Sequence, residues 1–547
     1  MEKILIPKAF SPKGFLVGFL GFLILFFMGV IMIASVSNDA PTADEPPHIL
    51  SGYAALKFGQ DYIDPEHPLL AKAAASVPLL FQDLKFNKSD PGYLEQQENL
   101  DIGSMFAASR RFLNYSGNNP DGILFSTRLP MIILTVFFGA VVFLFARKLF
   151  GDFAALLATS LYATEPLILA HGRLVNTDLA GTGFILLSVF SLLLYFEKRS
   201  TKRLGFLILS LSAALLAKYS TFYLFPLTIL LMAAFYLRRP IRAWTHILYT
   251  IAGVLVCITV FYGLVSFREQ GLLGFSVYQY VKGLVIVQYE LAHDNRFAYL
   301  LGESYYGSRL YYFPILLLAK TQPLLLVGSA LSLILITIKK LRLSLPGLVT
   351  LLLIPTMFFG LALTTKFNIG VRHLLPIYPF MIILAAAAIT VLIRLSLAKF
   401  NNRLGLLIAG LLILFVVGSR IWSLTSTFPG YLSYYNIAFG GSENGWKVAT
   451  DSNYDWGQDV KRLANYVKET QINSIAFDNY TGTYAAEYYK IPVTGISPKN
   501  TDYKGYLALS TSVITFHEDR EYNYAWVLDN YQPIARAGYS IFIYKIE

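Results

Sequence analysis

Residues 43–72 read ADEPPHILSGYAALKFGQDYIDPEHPLLAK and follow closely on an uncharged apolar run at 14–36. The apolar run is long enough to cross a bilayer as one helix. Because it is too long for a removed signal peptide and has no small-residue cleavage site, we expect a retained signal anchor. The carboxylate pair Asp44-Glu45 then lies a few residues beyond the membrane surface. Acids held against lipid indicate chemistry on a lipid-borne substrate.

The composition is typical of a polytopic membrane protein. Of the 547 residues, 55% are hydrophobic and only 14% are charged, and the mean hydropathy is +0.52. Such values separate membrane proteins from soluble domains before any motif is considered. Cys257 is the single cysteine and lies inside an apolar run, which excludes an intrachain disulfide.

The net charge of +11 reflects membrane topology. Lys and Arg concentrate in short connections between apolar runs, which is the positive-inside pattern of cytoplasmic loops. These clusters are Lys3/Lys8/Lys13, Arg147/Lys148, Lys198/Arg199/Lys202/Arg203, Arg238/Arg239/Arg242, Lys339/Lys340/Arg342 and Arg394/Lys399/Arg403. The basic excess therefore predicts orientation in the membrane, and we expect no nucleic-acid partner.

The apolar runs predict a mainly α, polytopic helical membrane protein with about eleven crossings. The runs fall near 14–36, 123–146, 153–171, 177–196, 204–217, 220–237, 243–267, 310–338, 346–364, 375–393 and 404–422. With the N-terminus inside, every basic cluster falls on the cytoplasmic side. The acid-containing loops 37–122, 171–176, 268–309 and 365–374 then fall outside together with the C-terminal tail. We expect a multi-pass protein of the cell (inner or plasma) membrane.

Two domains are predicted, a transmembrane domain at 1–422 and a small extracytoplasmic α/β domain at 423–547. The long outer loops contain helical patterns at Leu69–Phe81, Ile102–Leu113 and Tyr278–Tyr289. The first of these is too short to span and should lie flat in the membrane interface, and the third should rest on the membrane.

The predicted α/β domain has its own local signals. Asp455 with Gln458 three residues later predicts a helix N-terminus and a helix to about Thr470. Strands are expected at 474–477, 505–509 and 539–545. Trp456 with Asn453 and Asp451 could form a sugar-contacting surface, and the alternative is capping and turn chemistry alone.

The candidate catalytic residues are carboxylates on the outer side. Asp44 or Glu45 could take a proton from an incoming hydroxyl as general base; the alternative is a solvated acidic turn, since Pro46 and Pro47 favour extended chain. Asp178 lies at the start of an apolar run, where a charge is a functional candidate. Its alternative role is to cap the helix.

Cations at the outer ends of the runs are candidates for binding a lipid phosphate, because phosphate needs fixed positive charge and Arg matches its oxygens. The alternative is snorkelling from helix ends. The candidates are Lys72, Arg173, Lys218, Arg372 and His373.

Two histidines of the first outer loop, His48 and His67, are candidates for substrate contact. His67 could equally be a metal ligand or a turn residue. No His, Cys or Asp spacing matches a closed metal site, so no cofactor is predicted, and a divalent cation stays open.

Several of these features together resemble the GT-C glycosyltransferases. They are the DE pair after the first span, the element EHPLLAK (66–72), Asp178 and the stretch RHLLPIYPF (372–380). More narrowly, the chain resembles family 39, which includes the protein O-mannosyltransferases and the lipid A aminoarabinose transferase. The resemblance covers about residues 10–422, and the GG…DSNYDWGQD segment (440–459) is similar to the tail of many bacterial proteins of this group.

The resemblance implies an inverting enzyme that moves a sugar from a polyprenyl-phosphate donor to a lipid, glycan or protein acceptor outside the cytoplasm. The family's first-loop acid maps onto Asp44 or Glu45, with Asp44 as the expected base, and its second-loop acid maps onto Asp178. The β-trefoil insertion of the protein mannosyltransferases is not visible here, which argues against a eukaryotic-type protein acceptor. The prolines after Glu45 also differ from the more helical continuation of the aminoarabinose enzymes.

Three other functions remain open from the sequence. A lipid-linked sugar transporter or flippase would have ionisable groups in mid-membrane and related halves, whereas the acids here lie at the ends of the runs. A non-catalytic scaffold presenting the C-terminal domain would tolerate loss of Asp44. An oligosaccharyl-type transferase or O-antigen ligase would differ in using a pyrophosphate donor.

Overall fold

The computed structural model describes residues 12–60, 62–93, 102–236, 242–293, 296–399, 402–479, 481–482, 484–516 and 524–547, and these are mostly helical. The α-helices are α1 (Pro12–Val36), α2 (Glu45–Phe58), α3 (Leu69–Ser76), α4 (Ile102–Asn114), α5 (Pro120–Phe150), α6 (Asp152–Ala163), α7 (Pro166–His171), α8 (Thr177–Glu197), α9 (Thr201–Ala217), α10 (Leu224–Tyr236), α11 (Arg242–Gln270), α12 (Tyr278–His293), α13 (Tyr312–Lys320), α14 (Pro323–Thr337), α15 (Leu345–Leu348), α16 (Ile354–Thr364), α17 (Tyr378–Lys399), α18 (Asn402–Thr427), α19 (Gly441–Asn444), α20 (Val460–Glu469), α21 (Tyr484–Tyr488), α22 (Thr511–Thr515) and α23 (Ala525–Asn530).

Within these ranges, seven helices are long and apolar enough to cross a membrane. They are Gly14–Val36, Pro120–Phe150, Thr177–Glu197, Trp244–Gly274, Leu345–Thr364, Val371–Ala398 and Arg403–Thr427. An eighth span results if α13 and α14, which meet at a bend of 113°, count as one. The multi-pass helical architecture predicted from the apolar runs is therefore confirmed.

The count is lower than eleven because three predicted crossings form shorter or broken helices. The run at 153–171 is divided at Glu165, whose backbone is extended ahead of Pro166, as expected for a residue before proline. The runs at 204–217 and 220–237 are separated at Lys218, which is also extended. These shorter helices still pack in the bundle, where α9 lies against α8 and α6 lies against α5 and α17.

The first outer loop is folded against the bundle. Helix α3 forms as predicted, but it does not lie free in the membrane interface, because it packs on α2, α5 and α9 and residues such as Leu69 and Lys72 are buried. The contact with α2 is close: a Cβ at Gly52 would lie 2.2 Å from the carbonyl oxygen of Lys72. Glycine therefore permits this helix crossing.

The second outer loop contains α12, as predicted, and an antiparallel hairpin that the sequence patterns did not indicate. The hairpin pairs β1 (Phe297–Leu300) with β2 (Glu303–Tyr306). The amide of Leu301, at its turn, donates to the carbonyl of Val448 at 2.8 Å. The hairpin thus connects the outer loop to the C-terminal region.

The C-terminal region contains a five-stranded mixed sheet in the order β4-β3-β5-β7-β6. The strands are β3 (Ile475–Asp478), β4 (Val493–Thr494), β5 (Gly505–Ser510), β6 (Ala535–Ala537) and β7 (Ile541–Ile546). The three predicted strands are confirmed as β3, β5 and β7. Strand β3 is parallel to β4 and β5, whereas β7 is antiparallel to β5 and β6.

The predicted helix start at Asp455 is wrong. Helix α20 begins at Val460, with Asp459 at the N-cap position. Gly457 has φ +94°, which a helix cannot contain. The Asp455 carboxylate instead accepts the amide of Ser512 at 3.0 Å.

The C-terminal region shares a core with the membrane region. Helix α18 continues to Thr427, so the predicted division between 422 and 423 falls inside a helix. Tyr431, Leu432, Ala449 and Trp456 belong to the same hydrophobic cluster as the membrane helices. The chain from 431 to 458 therefore packs into one end of the helical bundle.

Candidate active site

A cavity of about 400 Å³ opens between the first outer loop, α8, α12, α16 and the turn that precedes α17. One part of its wall is apolar and includes Ile185, Val287, Leu291, Phe358 and Leu361. Seven of the ten sequence-predicted site residues line it: Asp44, His48, His67, Asp178, Lys218, Arg372 and His373. Glu45, Lys72 and Arg173 do not line it.

Alternating charges connect the two outer acids. Arg372 Nη1 lies 2.7 Å from Asp44 Oδ2 and 3.6 Å from Asp178 Oδ2. Lys218 forms an ion pair with the other oxygen of Asp178. Residues from four separate parts of the sequence thus meet at one wall of the cavity.

Asp178 is free for this network because a neighbour caps its helix. The side chain of Asn176 accepts the amides of Asp178 and Leu179 at 3.1 and 3.4 Å. The alternative in which Asp178 itself serves as the N-cap is therefore wrong.

Asp44 faces the cavity from the start of α2. It occupies the N-cap position without a side-chain capping bond. Pro46 and Pro47 stand in the first helical turn, where a missing amide hydrogen costs nothing, so the expectation of extended chain there is wrong. Burial disfavours the charged form of Asp44, but the charge and hydrogen bond of Arg372, together with smaller contributions from His48 and His67, outweigh it and lower the pKa of the carboxyl below its ordinary value. Asp44 is therefore ionised at neutral pH.

Two buried nitrogen atoms of cavity-lining residues have spare hydrogen-bonding capacity. Among the described residues, neither Arg372 Nε nor His373 Nε2 has a hydrogen-bond partner. The guanidinium of Arg372 also lies against the ring of Trp456, with Cζ 4.5 Å from the ring centroid. Such groups can bind an incoming anion.

Glu45 lies behind the cavity wall and is fully engaged. Its carboxylate pairs with Arg128 at 2.6 Å and accepts the amides of Thr42 and Val175 at 2.9 and 3.0 Å. The adjacent acids of the DE pair thus face different partners. Glu45 joins α2, α5 and the loop before α8.

The other two candidates outside the cavity also form buried pairs. Arg173 Nη2 lies 2.9 Å from Asp39 Oδ2, where the sequence had suggested Asp178 or a phosphate. Lys72 Nζ lies 3.1 Å from Asp64 Oδ2 and donates to the carbonyls of Asp64 and His67. Both cations support the first outer loop.

His48, Asp64 and His67 form a cluster whose potential ligand atoms lie within 4.8 Å of one another. His48 Nδ1 is 2.8 Å from Asp64 Oδ2, and His67 Nδ1 is 3.7 Å from Asp64 Oδ1. The ammonium of Lys72 already neutralises the charge of the Asp64 carboxylate. A divalent cation would therefore meet a like charge close by, so the donor set fits a hydrogen-bonded cluster better than a resident metal.

The cavity also contains ionisable residues that the sequence analysis missed, namely Asp64, Glu66, Glu290 and Arg296. Arg296 Nη2 lies 3.8 Å from Glu66 Oε1. Burial, together with the negative charges of Asp64 and Glu290, raises the pKa of Glu66 to about 8. Asp64 and Glu66 flank Pro65 just before His67, and this acid-rich proline turn was the available signal.

Trp456 and Asn453 do not form a sugar-contacting surface. Their relative exposures are 2% and 0%. Because a sugar could not reach them, that interpretation is wrong.

Comparison with known proteins identifies the fold. Residues 121–263 match the family model described as dolichyl-phosphate-mannose-protein mannosyltransferase. The apo oligosaccharyltransferase of Archaeoglobus fulgidus is similar over 95% of this chain and 69% of its own, with a TM-score of 0.50 and 11% identity. ArnT from Cupriavidus metallidurans, bound to undecaprenyl phosphate, is similar over 98% of each chain, with a TM-score of 0.48 and 12% identity. No curated protein sequence matches.

The family match and the fold confirm the predicted resemblance to the GT-C glycosyltransferases and the predicted fold class. The chain is a multi-pass membrane glycosyltransferase with the GT-C fold.

Proposed function

We propose that this membrane glycosyltransferase moves a sugar from a polyprenyl-phosphate carrier to an acceptor hydroxyl or amine on the extracytoplasmic face, with inversion at the anomeric carbon. The central observation is the Asp44–Arg372–Asp178–Lys218 network at the wall of one cavity. It puts an ionised base beside fixed cations, which is what transfer from a lipid phosphate requires. The family match over 121–263 supports a lipid-monophosphate sugar as donor.

Asp44 acts as general base in this proposal. Its carboxylate takes the proton of the acceptor as the acceptor oxygen or nitrogen forms a bond to the anomeric carbon. The bond between that carbon and the phosphate oxygen breaks, and the polyprenyl phosphate leaves with the electron pair. Attack opposite the leaving group inverts the configuration.

Arg372, His373 and Lys218 stabilise the departing phosphate. Fixed donors aimed at developing charge are usually the largest catalytic contribution, and Arg372 Nε and His373 Nε2 have no hydrogen-bond partner among the described residues. Asp178 holds Lys218 and Arg372 in place. His48 and His67, on the same wall, contact the sugar or the acceptor.

The apolar wall, with Val287, Leu291, Phe358 and Leu361, accommodates the first units of the prenyl chain. Glu45 and Arg173 support the site without touching substrate, and Lys72 supports it through Asp64. The N-terminus lies in the cytoplasm and the C-terminal region outside, as the basic clusters predict.

The test is sugar transfer from a panel of radiolabelled polyprenyl-phosphate and polyprenyl-pyrophosphate sugars to crude membrane acceptors, with purified protein in detergent. Wild type should transfer label from a monophosphate donor. Asp44→Asn should not, and Glu443→Gln, at an exposed glutamate that does not line the cavity, should behave as wild type. Transfer only from pyrophosphate donors would overturn the donor assignment. If the protein reconstituted in lipid vesicles moved lipid-linked sugar across the bilayer without transferring it to an acceptor, a flippase would be favoured.

A further inference from the structure

We propose that the segment 451–459 of the C-terminal region completes the active site, with Trp456 as a positioning residue that holds the Arg372 guanidinium between Asp44 and Asp178. This inference deepens the proposed function and rests on it for the role of Arg372. It assigns a purpose to the DSNYDWGQD sequence, which capping and turn formation leave unexplained.

The indole of Trp456 contacts the face of the guanidinium. Arg372 Cζ lies 4.5 Å from the ring centroid, and Trp456 is only 2% exposed. Trp is the strongest aromatic partner for a cation, and the attraction increases when water is excluded. Since the ring occupies the guanidinium face, the edge of the guanidinium stays free for carboxylates and phosphate.

The backbone around Trp456 also holds the chain that leads to Asp44. The amide of Ala43 donates to the Trp456 carbonyl at 3.0 Å, and the amide of Ala40 donates to the Gln458 carbonyl at 2.9 Å. Ala43 directly precedes Asp44, so these two bonds set where the candidate base begins. Gly457 has φ +94°, and a Cβ there would lie 2.9 Å from Thr481.

The side chain of Gln458 stabilises the turn from within. Its Oε1 accepts the Trp456 amide at 2.8 Å, and its Nε2 donates to the Tyr454 carbonyl at 2.9 Å. Gln458 therefore fixes the conformation that presents the indole.

Residues just before Trp456 hold the chain that leads to Arg372. Asn453 Oδ1 accepts the Val371 amide at 2.7 Å, and Ser452 Oγ donates to the Ile369 carbonyl at 2.6 Å. One short segment thus fixes both ends of an ion pair whose residues are 328 positions apart in the sequence. A C-terminal domain that was only tethered to the membrane region would contact neither the chain before Asp44 nor the chain before Arg372.

The test compares wild type with Trp456→Phe, which keeps a ring, and Trp456→Met, which keeps most of the volume without one. Trp422→Leu, at a 68% exposed tryptophan of α18, is the control. We expect Trp456→Met to lower kcat about tenfold with little change in the KM for donor. Trp456→Phe should keep most of the wild-type kcat. Equal impairment of both variants, or none in Trp456→Met, would overturn the inference.

A second measurement separates this inference from the proposed function. The free energy of unfolding is measured for four proteins: wild type, Trp456→Met, Arg372→Gln and the double variant. These four values form a double-mutant cycle that needs no substrate. Coupling between the two positions, with no sugar transfer by wild type, would refute the proposed function while retaining the contact. Additive effects would refute the positioning role even if wild type transfers sugar.

Discussion

The adjacent acids Asp44 and Glu45 each pair with an arginine, and the two pairs differ in whether every guanidinium nitrogen has a hydrogen-bond acceptor. In the closed pair, Glu45 with Arg128, every guanidinium nitrogen donates to a carboxylate or a carbonyl oxygen. In the open pair, Asp44 with Arg372, Nε has no acceptor among the described residues, and the pair faces the cavity. The open pair is also the more exposed one: the side chains of Asp44 and Arg372 are 23% and 12% exposed, against 0% and 3% for Glu45 and Arg128. Access to the cavity and spare hydrogen-bonding capacity therefore distinguish the candidate catalytic pair from the structural pair.

Breaking the closed pair should have the largest effect on stability. Glu45→Gln leaves Arg128 buried without its counter-charge, which costs about 3–5 kcal/mol. Chemical unfolding in detergent measures the loss, with Glu443→Gln as the exposed control. If Glu45→Gln unfolds like wild type, Glu45 does not hold these helices together.

Breaking the open pair should instead reduce transfer while the fold remains. Arg372→Gln removes a fixed charge from the leaving phosphate, and we expect transfer to fall by about 10²–10³. Arg372→Lys should recover only part of it, since Lys lacks the planar fork. Full activity of Arg372→Gln with the preferred donor would remove Arg372 from the leaving-group role.

The pH dependence of stability should reveal the raised pKa of Glu66. Its pKa is raised from 4.5 to about 8 by burial, Asp64 and Glu290, so the folded state binds this proton more tightly than the unfolded state does. The stabilisation is complete below the unfolded pKa and is lost as pH rises through the folded pKa. Wild type should therefore lose stability between about pH 4.5 and 8, and Glu66→Gln should show a flatter profile. Parallel profiles for the two proteins would contradict the raised pKa.

Chelation should have the smallest effect. Because Lys72 already balances Asp64, we expect transfer by purified protein to change less than about twofold after EDTA treatment. A loss of transfer that Mn²⁺ or Zn²⁺ restores would show that the His48–Asp64–His67 cluster, or its neighbours, holds an ion.

Position along the chain was enough to predict that Asp44, Asp178 and Arg372 lie on one face, but it did not predict that Asp44 and Arg372 form an ion pair. Asp44, Asp178 and Arg372 all follow or precede apolar runs on the same predicted side, so topology alone brought them to one face. The sequence could not distinguish Asp44 from Glu45, because that depends on which way each side chain leaves the first turn of α2. The partner of Glu45, Arg128, lies inside an apolar helix, where no local pattern marks it.

Long-range packing accounts for what the sequence analysis missed. The capping pattern at Asp455 and Gln458 predicted a helix, but contacts with Ser512 and the glycine turn prevail over it. A sugar-contacting surface at Trp456 was one of two open alternatives, because nothing local shows that 431–458 packs into the membrane region. Arg296 reaches the cavity from a loop whose course depends on the whole fold.

The most direct test of the open pair is transfer from the preferred donor by Asp44→Asn, with binding of undecaprenyl phosphate measured on the same preparation. We predict that binding is retained and transfer falls by at least about 100-fold, the usual contribution of a general base. Transfer within threefold of wild type by a folded Asp44→Asn protein would contradict the assignment of Asp44 and, with it, the contrast between the two pairs.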